Sequence, residues 1–360
     1  MKNSDLDKKC RWFREKLLKW HREQNRREMP WKGEKDPYKI WLSEIILQQT
    51  RVEKGLEYYN AFVQHFPTIN DLANAEEKKV FKLWEGLGYY NRCRNLIATA
   101  KEIVTTYKSK FPTRHEDILK LKGVGPYTAA AIASFAYNLP YAVVDGNVTR
   151  VLTRFFNIDL PIDSAQGKKL LATLAQQLLD GKNAANYNQA IMDFGATICK
   201  PKLPLCSSCP FQKKCQAFEL ALVDKLPIKE KSVAKKTRWF YYFIIECKEG
   251  VYIKERTDKD IWQNLHEFML IEMPKKSSYQ QIKNTKQFKS LLSNIPYLLD
   301  SVSNEYSQIL SHQLIKGKFC ILQVSKKVKF ENFKWVPKKL LHQISFPKFI
   351  NTYLQDKKYL

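Results

Sequence analysis

The chain has 360 residues, 44% of them hydrophobic, so it is long enough for two domains and is not disordered by composition. Its 61 Lys and Arg residues against 36 Asp and Glu give a formal charge of +25. Residues 1–225 hold 36 basic and 24 acidic residues, and residues 226–360 hold 25 and 12. Because both parts are basic, we expect a long polyanion as partner, nucleic acid before membrane, although a protein that is merely basic is the simpler alternative.

Residues 5–195 are predicted to form a succession of short helices, since apolar residues recur at helical spacing between proline and glycine breaks. An uncharged run extends from Gly123 to Val144, but its continuous helical part, Tyr127 to about Tyr137, is too short to span a membrane. The N-terminus lacks the apolar core of a signal peptide. We therefore expect a cytoplasmic protein, associated with the nucleoid in a bacterium.

Glu44 is the first candidate for chemistry, in the helical stretch "YKIWLSEIILQQT". Ile40 and Leu47, four residues before and three after it, place the carboxyl on a mostly apolar face. Such a group either pairs with a cation in a buried salt bridge or has its pKa raised by desolvation. The second possibility describes a general acid that stays protonated near neutral pH. The sequence leaves both open.

The stretch "LKGVGPY" lies between two helical segments. Gly123 and Gly125 permit a tight hairpin, and the helix that follows exposes backbone N–H groups at its positive end. This geometry suits an anion such as a DNA phosphate, although an ordinary turn between helices has the same pattern.

Asp145 follows the apolar "YAVV" and precedes "GNVTRVLTRFF", a predicted helix. Asp is a good helix N-cap, and a helix N-terminus favours the ionised carboxylate that stabilises a developing cation. The two roles are compatible. One carboxyl kept protonated and one kept ionised form the pair that breaks glycosidic bonds.

Four of the eight cysteines lie within 17 residues, at Cys199, Cys206, Cys209 and Cys215. This density indicates a metal site in a reducing compartment. Only the central pair has the Cys-x2-Cys form of a zinc knuckle, so the spacing favours a [4Fe–4S] cluster over zinc. Nearby lysines would present positive charge to phosphates.

A lysine-rich linker is predicted at about 221–237, and the period then changes. The segment "RWFYYFIIECKEGVYIKE" predicts two strands around a turn at Lys248, Glu249 and Gly250, and "FCILQVS" predicts another. Residues 238–360 are therefore predicted to form a smaller α+β domain.

Taken together, these residues resemble the helix–hairpin–helix DNA glycosylases, and among them the MutY family of adenine DNA glycosylases. The matching stretches run in family order over residues 27–215: "PWKGEKDPYKIWLSEIILQQTRV", "WEGLGYYNRCRNL", "LKGVGPYTAAAIASFA", "VVDGNVTRVLTR", "NQAIMDFGATIC" and the cysteine spacing. The resemblance implies a mostly α, two-lobed catalytic domain over residues 1–220, with the four cysteines holding a [4Fe–4S] cluster. It also implies removal of adenine mispaired with 8-oxoguanine or guanine, with Glu44 and Asp145 as the carboxyl pair.

One position distinguishes two reactions within the superfamily. Enzymes that also cut the strand carry a lysine that attacks the sugar as a Schiff-base nucleophile, and Tyr127 stands at that position here. A phenol forms no imine, so we expect a monofunctional, hydrolytic glycosylase. Tyr127 is otherwise a partly buried aromatic at a helix start or a hydrogen-bond partner of Asp145. The DNA contacts implied by the resemblance are Gln49, Thr50, Leu87, Tyr89, Gly123, Gly125 and Asn147.

The C-terminal segment looks like the Nudix-related domain with which this family reads 8-oxoguanine, although the signature of a nucleotide pyrophosphatase is missing. Ser311 and His312 match the family's lesion-reading loop, whereas His266 and Met269 depart from its pattern. The implied partner is double-stranded DNA carrying the mispair, bound by a monomer. The alternatives are a glycosylase acting on thymine in T:G mispairs or on oxidised pyrimidines, and a non-enzymatic DNA-binding protein with a redox-sensing cluster.

Overall fold

The computed structural model describes residues 3–230, 235–292 and 295–359. They form two compact units, each treated separately below. The helical unit comprises Met1–Asn74 and Arg94–Ser232, and the sheet unit comprises Ala75–Cys93 and Val233–Leu360. Part of the predicted linker, residues 231–234, lies outside the described residues.

The predicted succession of helices is confirmed in the first 220 residues. Among the described residues, the first strand begins only at Lys236. Helix α5 (Glu77–Trp84) and the first turn of α6 (Tyr90–Thr106) belong to the sheet unit. In chain order the helices are α1 (Asn3–Gln24), α2 (Pro37–Leu47), α3 (Val52–His65), α4 (Ile69–Asn74), α5 (Glu77–Trp84), α6 (Tyr90–Thr106), α7 (His115–Lys120), α8 (Pro126–Tyr137), α9 (Gly146–Phe156), α10 (Ala165–Leu178), α11 (Ala184–Thr197) and α12 (Gln216–Glu219).

The core of the helical unit is built on one face of α1. Phe13, Leu17 and Trp20 recur at spacings of three and four residues, which places them on one side of the helix. All three are buried against α9 and α11, and the Trp20 ring meets the edge of Phe194 at a centroid distance of 5.0 Å. This packing fixes α9 and α11, which carry polar residues of the site.

Helix α8 is the buried, uncharged helix expected from the sequence. It begins at Pro126, whose fixed φ suits the first turn, and ends at Asn138 in the left-handed conformation of a helix C-cap. Its alanines are small enough for α8 to pack closely against α2 and α11. Within the described ranges, no helix is long and apolar enough to cross a membrane.

The sheet unit contains one mixed sheet, and its described strands number eight. The strands predicted around Lys248 and Glu249 are confirmed as β1 and β2, paired through Cys247 and Gly250. Strand β1 pairs in parallel with β7 and antiparallel with β4, and β5 and β6 pair antiparallel with β7. The strands are β1 (Lys236–Cys247), β2 (Gly250–Glu255), β3 (His266–Glu267), β4 (Met269–Met273), β5 (Leu298–Val302), β6 (Tyr306–Ile309), β7 (Gln313–Gln323) and β8 (Lys334–Pro337).

Helices cover both faces of this sheet, which explains why β1 is a nearly continuous apolar run. Phe243 contacts Phe288 of α14 (Lys286–Leu292), which follows α13 (Tyr279–Lys283) on one face. On the other face, Phe319 stacks on Tyr353 of α15 (Lys348–Asp356) at a centroid distance of 4.0 Å. The predicted α+β architecture of the C-terminal segment is thus observed.

Candidate active site

A cavity of about 1380 Å³ opens in the helical unit, between α2, α8 and the N-terminal ends of α9 and α11. Glu44, Tyr127 and Asp145 all line it, together with Gln49 and Thr50. Residues from three separate parts of the sequence therefore meet at one site. The cavity exceeds the range of about 300–1,000 Å³ common for small-molecule pockets and is large enough for a nucleotide.

Glu44 lies in the last part of α2 and is only 7% exposed. Burial raises its pKa to about 7; a hydrogen bond from Tyr127 opposes the shift, and the charge of Asp145 adds to it. No cation among the described residues forms an ion pair with Glu44. Of the two interpretations left open by the sequence, the structure thus supports the desolvated carboxyl rather than the buried salt bridge.

Tyr127 stands in the first turn of α8, directly after Pro126. Its phenol hydrogen-bonds to Glu44. Burial raises the pKa of Tyr127 well above its usual value, and the charges of Glu44 and Asp145 raise it further. The partner suggested by the sequence was Asp145, but the hydrogen bond is made to Glu44. The distance in sequence between α2 and α8 explains why this pairing could not be predicted.

Asp145 is the N-cap of α9, as predicted. One carboxylate oxygen accepts the Val148 N–H at 2.7 Å, and the other accepts the Asn147 amide at 2.7 Å. Burial raises the pKa of Asp145, whereas a helix N-terminus lowers the pKa of a carboxyl. The hydrogen bonds from Val148 and Asn147 also lower the pKa and so oppose the effect of burial. Since both oxygens accept hydrogen bonds, the arrangement suits the carboxylate form.

Arg150, one turn further along α9, was not identified from the sequence. Its guanidinium donates to Asn147 Oδ1 at 2.8 Å, to the Gly195 carbonyl at 2.6 Å and to the Cys199 carbonyl at 2.7 Å. Asn147 in turn donates to Asp145. Arg150 therefore connects the N-terminus of α9 to the segment that begins the cysteine cluster.

A second buried carboxyl, Asp193 on α11, was also missed. It is 0% exposed and accepts hydrogen bonds from Arg27 at 3.0 Å and from Gln189 at 3.0 Å, while Lys32 lies 3.2 Å away. Arg27, Lys32 and Gln189 line the cavity. The available signal was a charged residue on the apolar face of α11, in "NQAIMDFGATIC".

The predicted hairpin connects α7 to α8 at an exposed position. Gly123 has φ +79°, and a Cβ there would lie 2.7 Å from Asn95, so glycine is required for two reasons. Gly125 is the N-cap of α8 and would meet nothing within 4 Å if it carried a Cβ. Space is thus open beside the N-cap of α8.

In the sheet unit, Tyr89 and Ser311 are brought together although 222 positions separate them, and their hydroxyl oxygens lie 2.7 Å apart. Tyr89 is 45% exposed, and His312 is exposed beside Ser311. Leu87, in contrast, is buried. The residues expected at the DNA therefore fall into both units: Gln49, Thr50, Gly123, Gly125 and Asn147 in the first, and Leu87, Tyr89, Ser311 and His312 in the second.

The four cysteines line one small pocket beside Arg154. Burial raises the pKa of Cys209 to about 12, and neighbouring cysteine charges contribute to the rise. Among the described residues, no three His, Cys, Asp or Glu side chains converge on a point that a single metal ion could occupy. A [4Fe–4S] cluster takes one thiolate per iron, and four cysteine thiols are the donor set that such a group requires.

The chain is similar in sequence and fold to known DNA repair proteins. Residues 42–177 match the HhH-GPD superfamily of base excision DNA repair proteins. The chain is 33% identical to an adenine DNA glycosylase of Buchnera aphidicola subsp. Schizaphis graminum over 349 residues. The matched region covers 95% of this chain and 98% of the relative. A solved thermostable thymine-DNA glycosylase is 30% identical, with a TM-score of 0.55, covering 59% of this chain and 98% of its own. A non-covalent endonuclease III–DNA complex, at 18% identity and a TM-score of 0.52, covers 60% of this chain and 98% of its own and shares the fold.

Proposed function

Because this chain belongs to the adenine DNA glycosylases of the HhH-GPD superfamily, enzymes of base excision repair that cleave N-glycosyl bonds, we propose that it hydrolyses the bond to adenine opposite 8-oxoguanine or guanine. The observation that carries this proposal is the pair of carboxyls in one cavity. Glu44 is buried without a cation, and Asp145 accepts hydrogen bonds on both oxygens. Their environments differ in the way that acid and electrostatic stabiliser require.

In the first step, protonated Glu44 donates its proton to N7 of adenine. Tyr127 donates to one oxygen of Glu44, which leaves the carboxyl O–H free to face the base. The C1′–N9 bond then breaks, and its electron pair leaves with the base. Protonation makes adenine a better leaving group, and general acid catalysis of this kind contributes typically 10²–10⁴-fold.

The sugar left behind has oxocarbenium character, and the Asp145 carboxylate stabilises it, either directly or through a short-lived covalent adduct. Water then attacks C1′ and gives its proton to the Glu44 carboxylate, which restores the acid. Asp145 is both N-cap and stabiliser, because its hydrogen bonds from Val148 and Asn147 fix its position. Tyr127 offers no amine for an imine, so we propose hydrolysis without strand cleavage.

DNA binding is proposed to use the basic surface and the exposed hairpin, with the chain acting as a monomer on duplex DNA. The N–H groups after Gly125 and the exposed Lys122 suit a phosphate. The target nucleotide must leave the stack to enter the cavity. Gln49 and Thr50 at the cavity, and Leu87 and Tyr89 in the sheet unit, are the residues proposed to meet the opened duplex.

Residues 1–220 are proposed as the catalytic domain and 238–360 as a Nudix-like domain that reads 8-oxoguanine. The contact between the Tyr89 and Ser311 hydroxyls supports this assignment, since it joins a residue expected at the duplex to the expected lesion-reading loop. Beside them, His312 is exposed and available to a base. Cys199, Cys206, Cys209 and Cys215 are proposed to hold a [4Fe–4S] cluster, whose contribution is to fold and hold their loop.

The decisive experiment is detection of free adenine from a duplex with a single 8-oxoguanine:A pair. We expect adenine release, with strand breaks only after alkali. A second candidate, removal of thymine from T:G mispairs, is favoured by the 30% identity to a thymine-DNA glycosylase. Matched duplexes carrying 8-oxoguanine:A, G:A and T:G separate the two, because thymine release without adenine release would overturn the first proposal.

A further inference from the structure

His21, in the last turn of α1, lines the cavity and lies beside the buried carboxyl Asp193. The two are linked by Asn25, whose amide nitrogen lies 2.9 Å from His21 Nδ1 and 2.8 Å from Asp193 Oδ2. The orientation of this amide is fixed, because its oxygen accepts the Arg27 N–H at 3.1 Å. The Asn25 NH₂ group therefore gives one hydrogen to Asp193 and the other to the imidazole.

This arrangement determines the protonation state of His21. Since Asn25 donates, Nδ1 must be an acceptor, and the single proton of the neutral ring sits on Nε2. The His21 ring also hydrogen-bonds to the side chain of Asn186. A second proton on Nδ1 would face the NH₂ donor of Asn25, and turning the amide would direct its oxygen at Asp193 instead. Either way, the link between His21 and Asp193 is lost.

Asp193 anchors one wall of the cavity by holding Arg27 and Lys32. We propose that His21 is a positioning residue for base excision, and that its neutral Nε2–H form holds this wall through Asn25. Protonation of His21 then removes one of the hydrogen bonds that hold Asp193, and the two cations paired with Asp193 are positioned less firmly for the base. This inference rests on the proposed excision activity of the same cavity.

The charges around His21 oppose its protonation. Lys32 and Arg27, from the segment after α1, and Asp193, from α11, are the charged groups of this cluster; the neighbouring Asn186 is neutral. Burial lowers the pKa of His21 below 6.5 and Lys32 lowers it further, whereas Asp193 and the hydrogen bond with Asn186 oppose this. The switch therefore operates on the acidic side of neutrality, below the range in which Glu44 loses its proton.

The test is the pH profile of single-turnover adenine excision from an 8-oxoguanine:A duplex. In the wild type we expect a bell-shaped curve, with the acid limb falling by about tenfold per pH unit as His21 gains its proton. His21→Gln keeps an acceptor for Asn25 but cannot titrate, so its acid limb should disappear while the alkaline limb of Glu44 persists. His65 is an exposed histidine hydrogen-bonded to the Ala61 carbonyl, and His65→Gln is the matched control that should keep both limbs.

An unchanged acid limb in His21→Gln would overturn the inference and assign the limb to another group, such as Asp145. Absence of adenine release at every pH would instead overturn the proposed function. If His21→Gln fails to fold, nitrogen chemical shifts of the wild-type imidazoles provide a separate answer. We expect His21 to be in the Nε2–H tautomer with a depressed pKa, and assignment of the Nδ1–H tautomer to His21 would contradict the proposal.

Discussion

The buried carboxyl of Glu44 destabilises the fold at neutral and alkaline pH, and Glu44→Gln should remove this effect. Burial raises its pKa from 4.5 to about 7, so between these values the folded chain holds a proton that the unfolded chain has lost. Stability therefore falls as pH rises through this window. At about 1.4 kcal/mol for each pH unit, the free energy of unfolding drops by about 3 kcal/mol by pH 8.5.

Urea denaturation at pH 4 and pH 8.5, followed by far-ultraviolet circular dichroism, measures this difference. We expect Glu44→Gln to match the wild type at pH 4 and to exceed it by about 3 kcal/mol at pH 8.5. Glutamine can still accept the hydrogen bond from Tyr127. The same variant should lose about 10²–10⁴-fold in single-turnover excision, because an amide donates no proton to the base.

Exposed Glu57, on α3 of the same unit, provides the control. Glu57→Gln should change the free energy of unfolding by less than about 0.5 kcal/mol at either pH. If Glu44→Gln lost stability with pH as steeply as the wild type, the Glu44 carboxyl would not be the titrating group. If excision also remained at the wild-type rate, Glu44 would have no place in the mechanism.

Three further outcomes are expected. Asp145→Asn should keep the cap of α9 but slow single-turnover excision by about 10²–10³-fold, since the sugar cation loses its stabilising charge. Tyr127→Phe removes a hydrogen bond that lowers the pKa of Glu44, so the alkaline limb of the pH profile should move to higher pH. Ser311→Ala and Tyr89→Phe should each reduce the preference for 8-oxoguanine:A over G:A by about two- to tenfold, and the double variant should match either single one.

Each of these outcomes has a matched comparison. Asp36→Asn alters the N-cap of α2 in the same way, and it should leave the excision rate within twofold. Equal losses of excision rate in Asp36→Asn and Asp145→Asn would show that Asp145 acts only as a helix cap. Tyr137→Phe, at the far end of α8, should not move the alkaline limb. Additive effects in the Ser311 and Tyr89 variants would show that the two hydroxyls act independently.

Features that depend on neighbouring residues could be predicted from the sequence. The start of α8 follows from proline after Gly125, and the cap of α9 follows from Asp145 before an amphipathic stretch. The β1–β2 hairpin is predicted because two apolar runs flank Lys248, Glu249 and Gly250. In each case the signal and the structure lie within a few residues of each other.

Features that depend on residues far apart in the chain could not be predicted from the sequence. Tyr127 bonds to Glu44, 83 positions earlier, and nothing in the sequence chooses this partner over the nearer Asp145. Residues 75–93 belong to the sheet unit although helical-unit sequence flanks them on both sides. Tyr89 could therefore not be placed beside Ser311 before the tertiary contacts were known.

Among the described residues of the helical unit, two carboxyls are buried, Glu44 and Asp193, and their surroundings differ in charge. Asp193 is paired with Arg27 and Lys32 and also accepts two amide donors, whereas Glu44 has a phenol and no cation. A cation beside Glu44 would stabilise its carboxylate and so remove the proton that the leaving base requires. Because Asp193 holds both cations, they remain at the cavity without lowering the pKa of Glu44. The separation of these charges thus keeps one carboxyl available as an acid within a strongly basic protein.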